Sequence, residues 1–178
     1  MPETTINLDS LKEGMPALTS CLGGSMAEAG SLCFEDQNHK PGVSITINKE
    51  QSKFKILWSE VTDQIRKCWN DHEVTTEHGA CAIAILLMKE IEDYKVIERS
   101  RKGTGFDYWL GNDESKLPFE DKARLEVSGI RKGNRQKIDA RVKQKITQTQ
   151  KTTSHYDTFV VVIEFSSPLS EIRKNGTY

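Results

Sequence analysis

The stretch Ala123-Arg124-Leu125-Glu126-Val127-Ser128-Gly129-Ile130 decides how the chain is read. On an extended backbone Leu125 and Val127 fall on one side, while Arg124, Glu126 and Ser128 fall on the other. This predicts a strand over Ala123–Ile130, with a carboxylate on one of its faces. Residues 134–150 follow, with Ile138, Val142 and Ile146 on one helical stripe. Then comes Phe159-Val160-Val161-Val162-Ile163-Glu164-Phe165, an almost unbroken apolar run that fits a strand covered on both faces.

Toward the N-terminus the same alternation predicts strands over 95–101 and 106–111. The Lys102-Gly103-Thr104-Gly105 turn separates them, and a polar loop containing Pro118 fills 112–121. Before these, Val61, Ile65, Cys68 and Trp69 mark a helical stripe. A second helix is expected from Thr75 or Thr76 to about Glu92, with Thr75 as its N-cap. Three strand-like runs, over 31–34, Val43–Ile47 and 54–58, suggest a small antiparallel meander. The tail from Ser166 reads as a loose terminus. From Thr75 onward the order is helix, three strands, helix, strand. The fold class is therefore α/β, a mixed central sheet flanked by helices with an N-terminal β-meander. A chain of 178 residues fits a single domain, with 1–60 as the meander extension and 73–165 as the core.

Three carboxylates break the pattern. Glu77 shares a helical face with Ala80, Cys81, Ala84, Leu87, Met88 and Ile91, so it is expected to point along the core-facing stripe. The alternative is an acid facing its own helix's first amides. Asp107 shares a strand face with Trp109, opposite Phe106, Tyr108 and Leu110, and strands disfavour Asp. It marks either a site or an edge position in water. Glu126 either joins that site or pairs with Arg124 on its own face. Together the three would form an oxygen-lined pocket for a hard cation such as Mg²⁺ or Mn²⁺.

The order of helix with Glu77, strand with Asp107, strand with Glu126, helix and core strand resembles the restriction-endonuclease-like PD-(D/E)XK nuclease superfamily. The likeness spans roughly Glu73 to Phe165. Gly103-Thr104-Gly105-Phe106-Asp107-Tyr108-Trp109-Leu110-Gly111 and the Ala123–Gly129 stretch also resemble a bacterial family of this fold to which no activity is attached. The resemblance implies a metal-dependent phosphodiesterase core. Asp107, Glu126 and the Val127 carbonyl would be metal ligands, and Glu77 the helix acid. It departs from the motif at Ser128, where the family has lysine. Lys145, on the margin of the following helix's apolar stripe, is the candidate replacement, with Asp107, Glu126, Lys145 and Ser128 as the catalytic set.

Charge is unevenly placed. Between Arg131 and Lys151 eight basic side chains (Arg131, Lys132, Arg135, Lys137, Arg141, Lys143, Lys145, Lys151) face one acid, Asp139. The segment carries +7 and the remainder −8, against a net −1. A wholly basic phosphate binder is excluded, but a local basic face is not. Arg131, Lys132, Arg135, Lys137, Arg141 and Lys143 are the expected nucleic-acid contacts, with DNA favoured over RNA. The alternative is a solvated helix balancing acidic surface. A domain this small implies a homodimer or a partner subunit. Bacterial defence or DNA processing is the setting by analogy.

Other signals are discounted. Cys21-Leu22-Gly23-Gly24-Ser25 lacks the Lys-Ser/Thr end of a phosphate loop, and Gly103-Thr104-Gly105 precedes no helix. His72 and His78 are six apart and on opposite helix faces, so no HExxH zinc site is expected. Cys21, Cys33, Cys68 and Cys81 form no CxxC. The longest apolar run, Ala80 to Met88, is too short for a membrane span, and Met1-Pro2-Glu3 begins no apolar signal core, so no membrane partner and a cytoplasmic setting are expected. The competing functional reading is a non-catalytic nucleic-acid-binding or scaffold subunit on the same fold.

Overall fold

A computed structural model describes residues 4–49, 52–112, 122–150 and 155–174. The expected loop over 112–121 lies almost wholly outside these residues, as does Lys151. The elements in chain order are β1 (Thr4–Asn7), a 3₁₀ turn (Leu8–Glu13), α1 (Ser20–Glu35), β2 (Val43–Ile47), β3 (Ser52–Leu57), α2 (Asp63–Cys68), α3 (His72–Glu92), β4 (Lys95–Arg99), β5 (Tyr108–Gly111), β6 (Ala123–Ile130), α4 (Arg135–Gln150), β7 (Asp157–Glu164) and β8 (Leu169–Lys174). The strands form one mixed eight-stranded sheet in the order β1-β3-β2-β8-β7-β6-β5-β4.

The centre of this sheet is β6 and β7, paired in parallel from Ala123↔Asp157 to Ile130↔Glu164. Every residue of β7 after Asp157 is buried, as a strand covered on both faces requires. On one face Leu125, Val127, Phe159, Val161 and Ile163 join Ala80, Ile83, Ala84 and Leu87 of α3 in the main core. On the other, Val160, Val162 and Ile130 pack under Ile138 and Val142 of α4. The alternation expected for β6 therefore holds: odd positions face α3 and even positions face α4. Asn134 Oδ1 accepts from Lys137 N at 3.0 Å and starts α4.

Two glycines set the helix layer. A Cβ at Gly129 would stand 2.5 Å from Thr76 O, so α3 lies directly on β6 there. A Cβ at Gly79 would stand 3.1 Å from Gly30 Cα, where α1 crosses α3. The second helix on this face, α1, is thus held against the first by small residues.

The N-terminal third departs from expectation. Residues 31–34 are the last turn of α1, not a strand; Ser31, Leu32, Cys33 and Phe34 are all buried. Thr19 caps that helix, its Oγ1 accepting from Leu22 N at 3.2 Å. The hairpin β2–β3 is antiparallel as expected. Its third neighbour is β1, parallel to β3, so the strands form no consecutive meander. The tail also departs: β8 pairs antiparallel with β7 and parallel with β2. It stitches the N-terminal strands to the core. The N-cap of α3 is Asp71, whose Oδ1 accepts from Glu73 N and Val74 N at 2.9 and 3.0 Å. Thr75 is instead buried inside the first turn, with its hydroxyl donating to Trp69 O at 2.9 Å. No helix among the described residues is long and apolar enough to cross a membrane.

Gly129→Ala is expected to lower unfolding free energy by about 1–3 kcal/mol, because backbone rather than a flexible side chain opposes the new methyl. Gly24→Ala in α1 meets only the Lys12 side chain at 3.6 Å and is expected to raise it by up to about 1 kcal/mol. Urea unfolding of the two variants checks both signs.

Candidate active site

The site lies where β5 begins and β6 runs on past it. Tyr108 pairs with Leu125, and Asp107 N donates to Leu125 O at 2.8 Å. Asp107 thus stands one residue before β5, opposite Glu126, and not inside the strand as expected. Its Oδ2 accepts from Val127 N at 2.8 Å, filling the bond that β5 would have made had it continued. In a strand the N–H and C=O of one residue point to the same edge. The Val127 carbonyl therefore faces the same gap.

Glu126 is 2% exposed, on the α4 face of β6. Lys145 Nζ donates to its Oε1 at 2.5 Å, and Gln148 Nε2 to the same oxygen at 3.1 Å. Its other close neighbour is the Asp107 carboxylate. Burial, then the Asp107 charge, push the Glu126 carboxyl from 4.5 up to about 7, and Lys145 opposes the rise. Two acids in contact and one lysine thus share a buried pocket. The Arg124–Glu126 alternative is not the arrangement adopted: Arg124 Nε donates to Thr158 Oγ1 at 2.8 Å, and its guanidinium lies 5.4 Å from the Phe106 ring centre.

Ser128, two residues on, accepts at Oγ from Arg141 at 2.8 Å. A guanidinium from α4 therefore stands at the position where the resemblance expects a lysine. A cleft of about 370 Å³ opens beside it, lined by Glu77, Ser128, Arg131, Lys137, Arg141 and Lys145 among others. Glu77 and Lys145 also line the adjoining hollow that holds Asp107.

The expectation for Glu77 is corrected. Its side chain is exposed, on the lip of the cleft and not on the core stripe. From Ala82 to Met88 α3 is buried all round, so periodicity there carries no direction, and in the first turns Thr75 and Thr76 face inward while Glu77 does not. Among the described residues no group of three or more His, Cys, Asp or Glu side chains is placed to hold a metal ion. Glu77 thus does not join Asp107 and Glu126 as a third ligand in this arrangement. His78 Nδ1 lies 3.0 Å from Val74 O.

The six expected nucleic-acid contacts divide. Arg131 bonds Asp36, and also Thr76 Oγ1 at 3.2 Å. Arg135 pairs with the fully buried Glu171, and with Asp139 at 2.7 Å. These two arginines fasten α4 and its leading turn to the rest of the fold. Lys132, Lys137 and Lys143 are exposed, and Arg141 half-buried in the cleft.

Sequence reasoning passed over the hairpin between β4 and β5. Arg99, Arg101 and Lys102 line its side of the site, together with Asp107, Glu126 and Gln148. The signal was present as Arg99-Ser100-Arg101-Lys102-Gly103, a short basic run ending in a turn. Gly105 lets this hairpin close on α4: its φ is +84°, and a Cβ there would stand 3.1 Å from Gln148 O. Cys81, behind the site, is no nucleophile, because burial and the Asp107 charge raise its thiol to about 12.

Set against known protein families, curated proteins and solved structures, the chain matches none.

The raised Glu126 carboxyl has a signed consequence. An acid that holds its proton more tightly when folded contributes stability that is complete below about pH 4.5 and lost as pH rises through about 7. Wild type is expected to lose stability relative to Glu126→Gln across that window, by on the order of 3 kcal/mol. Urea unfolding of both proteins at several pH values measures it; a constant gap would contradict the buried pair.

Proposed function

We propose that this protein is a metal-dependent nuclease, or the nuclease subunit of a larger assembly, hydrolysing phosphodiester bonds of nucleic acid. DNA is the favoured substrate. The observation that carries the reading is the Asp107–Glu126 pair at the open edge of β6, with Lys145 donating to Glu126 from α4. The finer fold assignment rests on the same elements. The order α3, β4, β5, β6, α4, β7 is the one the restriction-endonuclease-like core calls for, with acids at the motif positions.

The residues suit a hard cation. A carboxylate pair forced together, with one member's proton affinity raised by burial and then by its neighbour, is the arrangement a divalent ion would relieve. Mg²⁺ or Mn²⁺ takes one or two carboxylates, keeps several waters and prefers oxygen. Asp107, Glu126 and the Val127 carbonyl would hold it, and Glu77 lines the same hollow as Asp107. When bound, such an ion supplies charge stabilisation at phosphorus and a more acidic water.

The chain's own groups do the rest. Lys145, already drawn to Glu126, is placed to turn toward a scissile phosphate once that carboxylate is neutralised otherwise. Arg141, held by Ser128, puts a fixed guanidinium in the cleft for an adjacent phosphate. Lys137 extends the positive track along α4. A homodimer or a partner subunit would supply the second strand's cut, and bacterial defence is the setting by analogy.

The second reading is a binding or scaffold subunit without catalysis. What favours it is that Lys145 already neutralises Glu126, and that Ser128 and not lysine stands on β6. Cleavage of DNA and RNA with Mg²⁺ or Mn²⁺ separates the two. Wild type is expected to cut, with Asp107→Ala, Glu126→Ala and Lys145→Met each lowering the rate about 10²–10³-fold. Retention of full activity by Asp107→Ala and Glu126→Ala would overturn the catalytic assignment, and binding without cleavage by every variant and by wild type would favour the scaffold.

A further inference from the structure

Beside the carboxylate pair, and on the same face of the sheet, lies a row of three aromatic rings. Phe106 and Trp109 meet edge-to-face, with centres 4.9 Å apart, and Trp109 meets Tyr156 the same way at 5.2 Å. All three are half-buried. Trp109 pairs with Arg124 across β5 and β6, so it shares the face of Arg124 and Glu126. The helix on that face, α4, packs on β6, β7 and β8 and leaves the β5 side to the rings. Among the described residues none of the three belongs to either buried cluster.

Positive charge accompanies the row. The Lys122 ammonium lies 5.6 Å from the Trp109 ring centre, and the Arg124 guanidinium 5.4 Å from that of Phe106. Arg101 and Lys102 stand exposed on the hairpin that leads into Phe106. Asp107 sits between Phe106 and Trp109 in sequence, so the row runs directly into the candidate site.

We propose that Phe106, Trp109 and Tyr156 form a stacking platform for unpaired bases, which selects single-stranded nucleic acid for the adjoining cleft. Only an unpaired base can offer a whole face to a side-chain ring, whereas a duplex buries those faces between neighbours. Aromatic rings interleaved with cations are the recurring means of holding single strands without regard to sequence. The bases would lie over the rings and the backbone would follow the exposed cations of the hairpin, Arg101 and Lys102. Glu98, exposed and opposite Trp109 on β4, would repel phosphate from the outer side of the row.

The inference rests on the nucleic-acid reading above but not on catalysis, and one set of measurements separates them. Intrinsic fluorescence and anisotropy are followed with a labelled oligothymidylate and with a blunt duplex of equal length, in EDTA. The oligothymidylate is expected to quench tryptophan emission in wild type. Trp109→Phe should bind it while losing most of the quench, since Trp58 and Trp69 lie in the other layer. Trp109→Leu should weaken binding about 5- to 150-fold, and the duplex should bind more weakly without quenching. A quench that persists in Trp109→Phe, an unchanged affinity in Trp109→Leu, preference for the duplex, or no binding of the single strand would each overturn the platform. If the quench behaves as expected but wild type cuts nothing with Mg²⁺ or Mn²⁺, the platform stands and the nuclease reading falls. If Asp107→Ala abolishes cleavage while Trp109 variants bind like wild type, the reverse holds.

Discussion

The parallel pairing of β6 with β7 is the constraint on which the other layers depend. Two parallel neighbours cannot be joined by a hairpin; the chain must cross over one face of the sheet before returning. Here the crossover is α4, so β6 and β7 acquire a helix on one side while α3 already covers the other. A strand enclosed in this way has no solvent for a charged side chain. Glu126 is therefore buried because of topology, and its partners must come from the elements that enclose it: Lys145 and Gln148 from the crossover helix, and Asp107 from the neighbouring strand. Because β5 begins only at Tyr108, a hollow opens beside this group.

Much of this arrangement was legible because it is written in alternation. Leu125 and Val127 against Glu126 and Ser128, and Tyr108 against Trp109, gave the correct faces, since register and pleat leave no other choice once one face is apolar. Asp107 and Phe106, by contrast, precede β5, and Phe106 packs on Trp109 instead of sharing the Tyr108 face. Lys145 was legible as a residue on the margin of a helical stripe. What was illegible lacked contrast. In α1, Ser31, Leu32, Cys33 and Phe34 are all buried, so a four-residue apolar run looks the same whether coiled or extended. Gly30, in the same helix, is there for close packing against Gly79. In β8 the buried residues are the polar Ser170 and Glu171, and the Arg135 that pairs with Glu171 is not revealed by sequence proximity. Glu77 went wrong for the opposite reason, since a helix apolar on nearly every side gives a period but no direction.

The basic segment shows how little a charge sum says about availability. Arg131 and Arg135 look like their neighbours in sequence, yet each is tied to an acid from a distant element, Asp36 or Glu171. These ties orient the helix and keep Lys137, Arg141 and Lys145 on the cleft side. The excess positive charge therefore divides into an anchoring part and a presenting part, and the hairpin residues Arg101 and Lys102 add a second presenting surface across the opening.

The placement of β8 bears on the order in which the molecule can be made. The hairpin β2–β3 and strand β1 come from the first sixty residues, but they reach the central strands only through β8, formed by residues 169–174. Until residues 169–174 have been made, β2 lacks the partner that pairs with this edge. Such an edge invites pairing with a neighbouring chain, and closing the sheet through so distant a segment is slow.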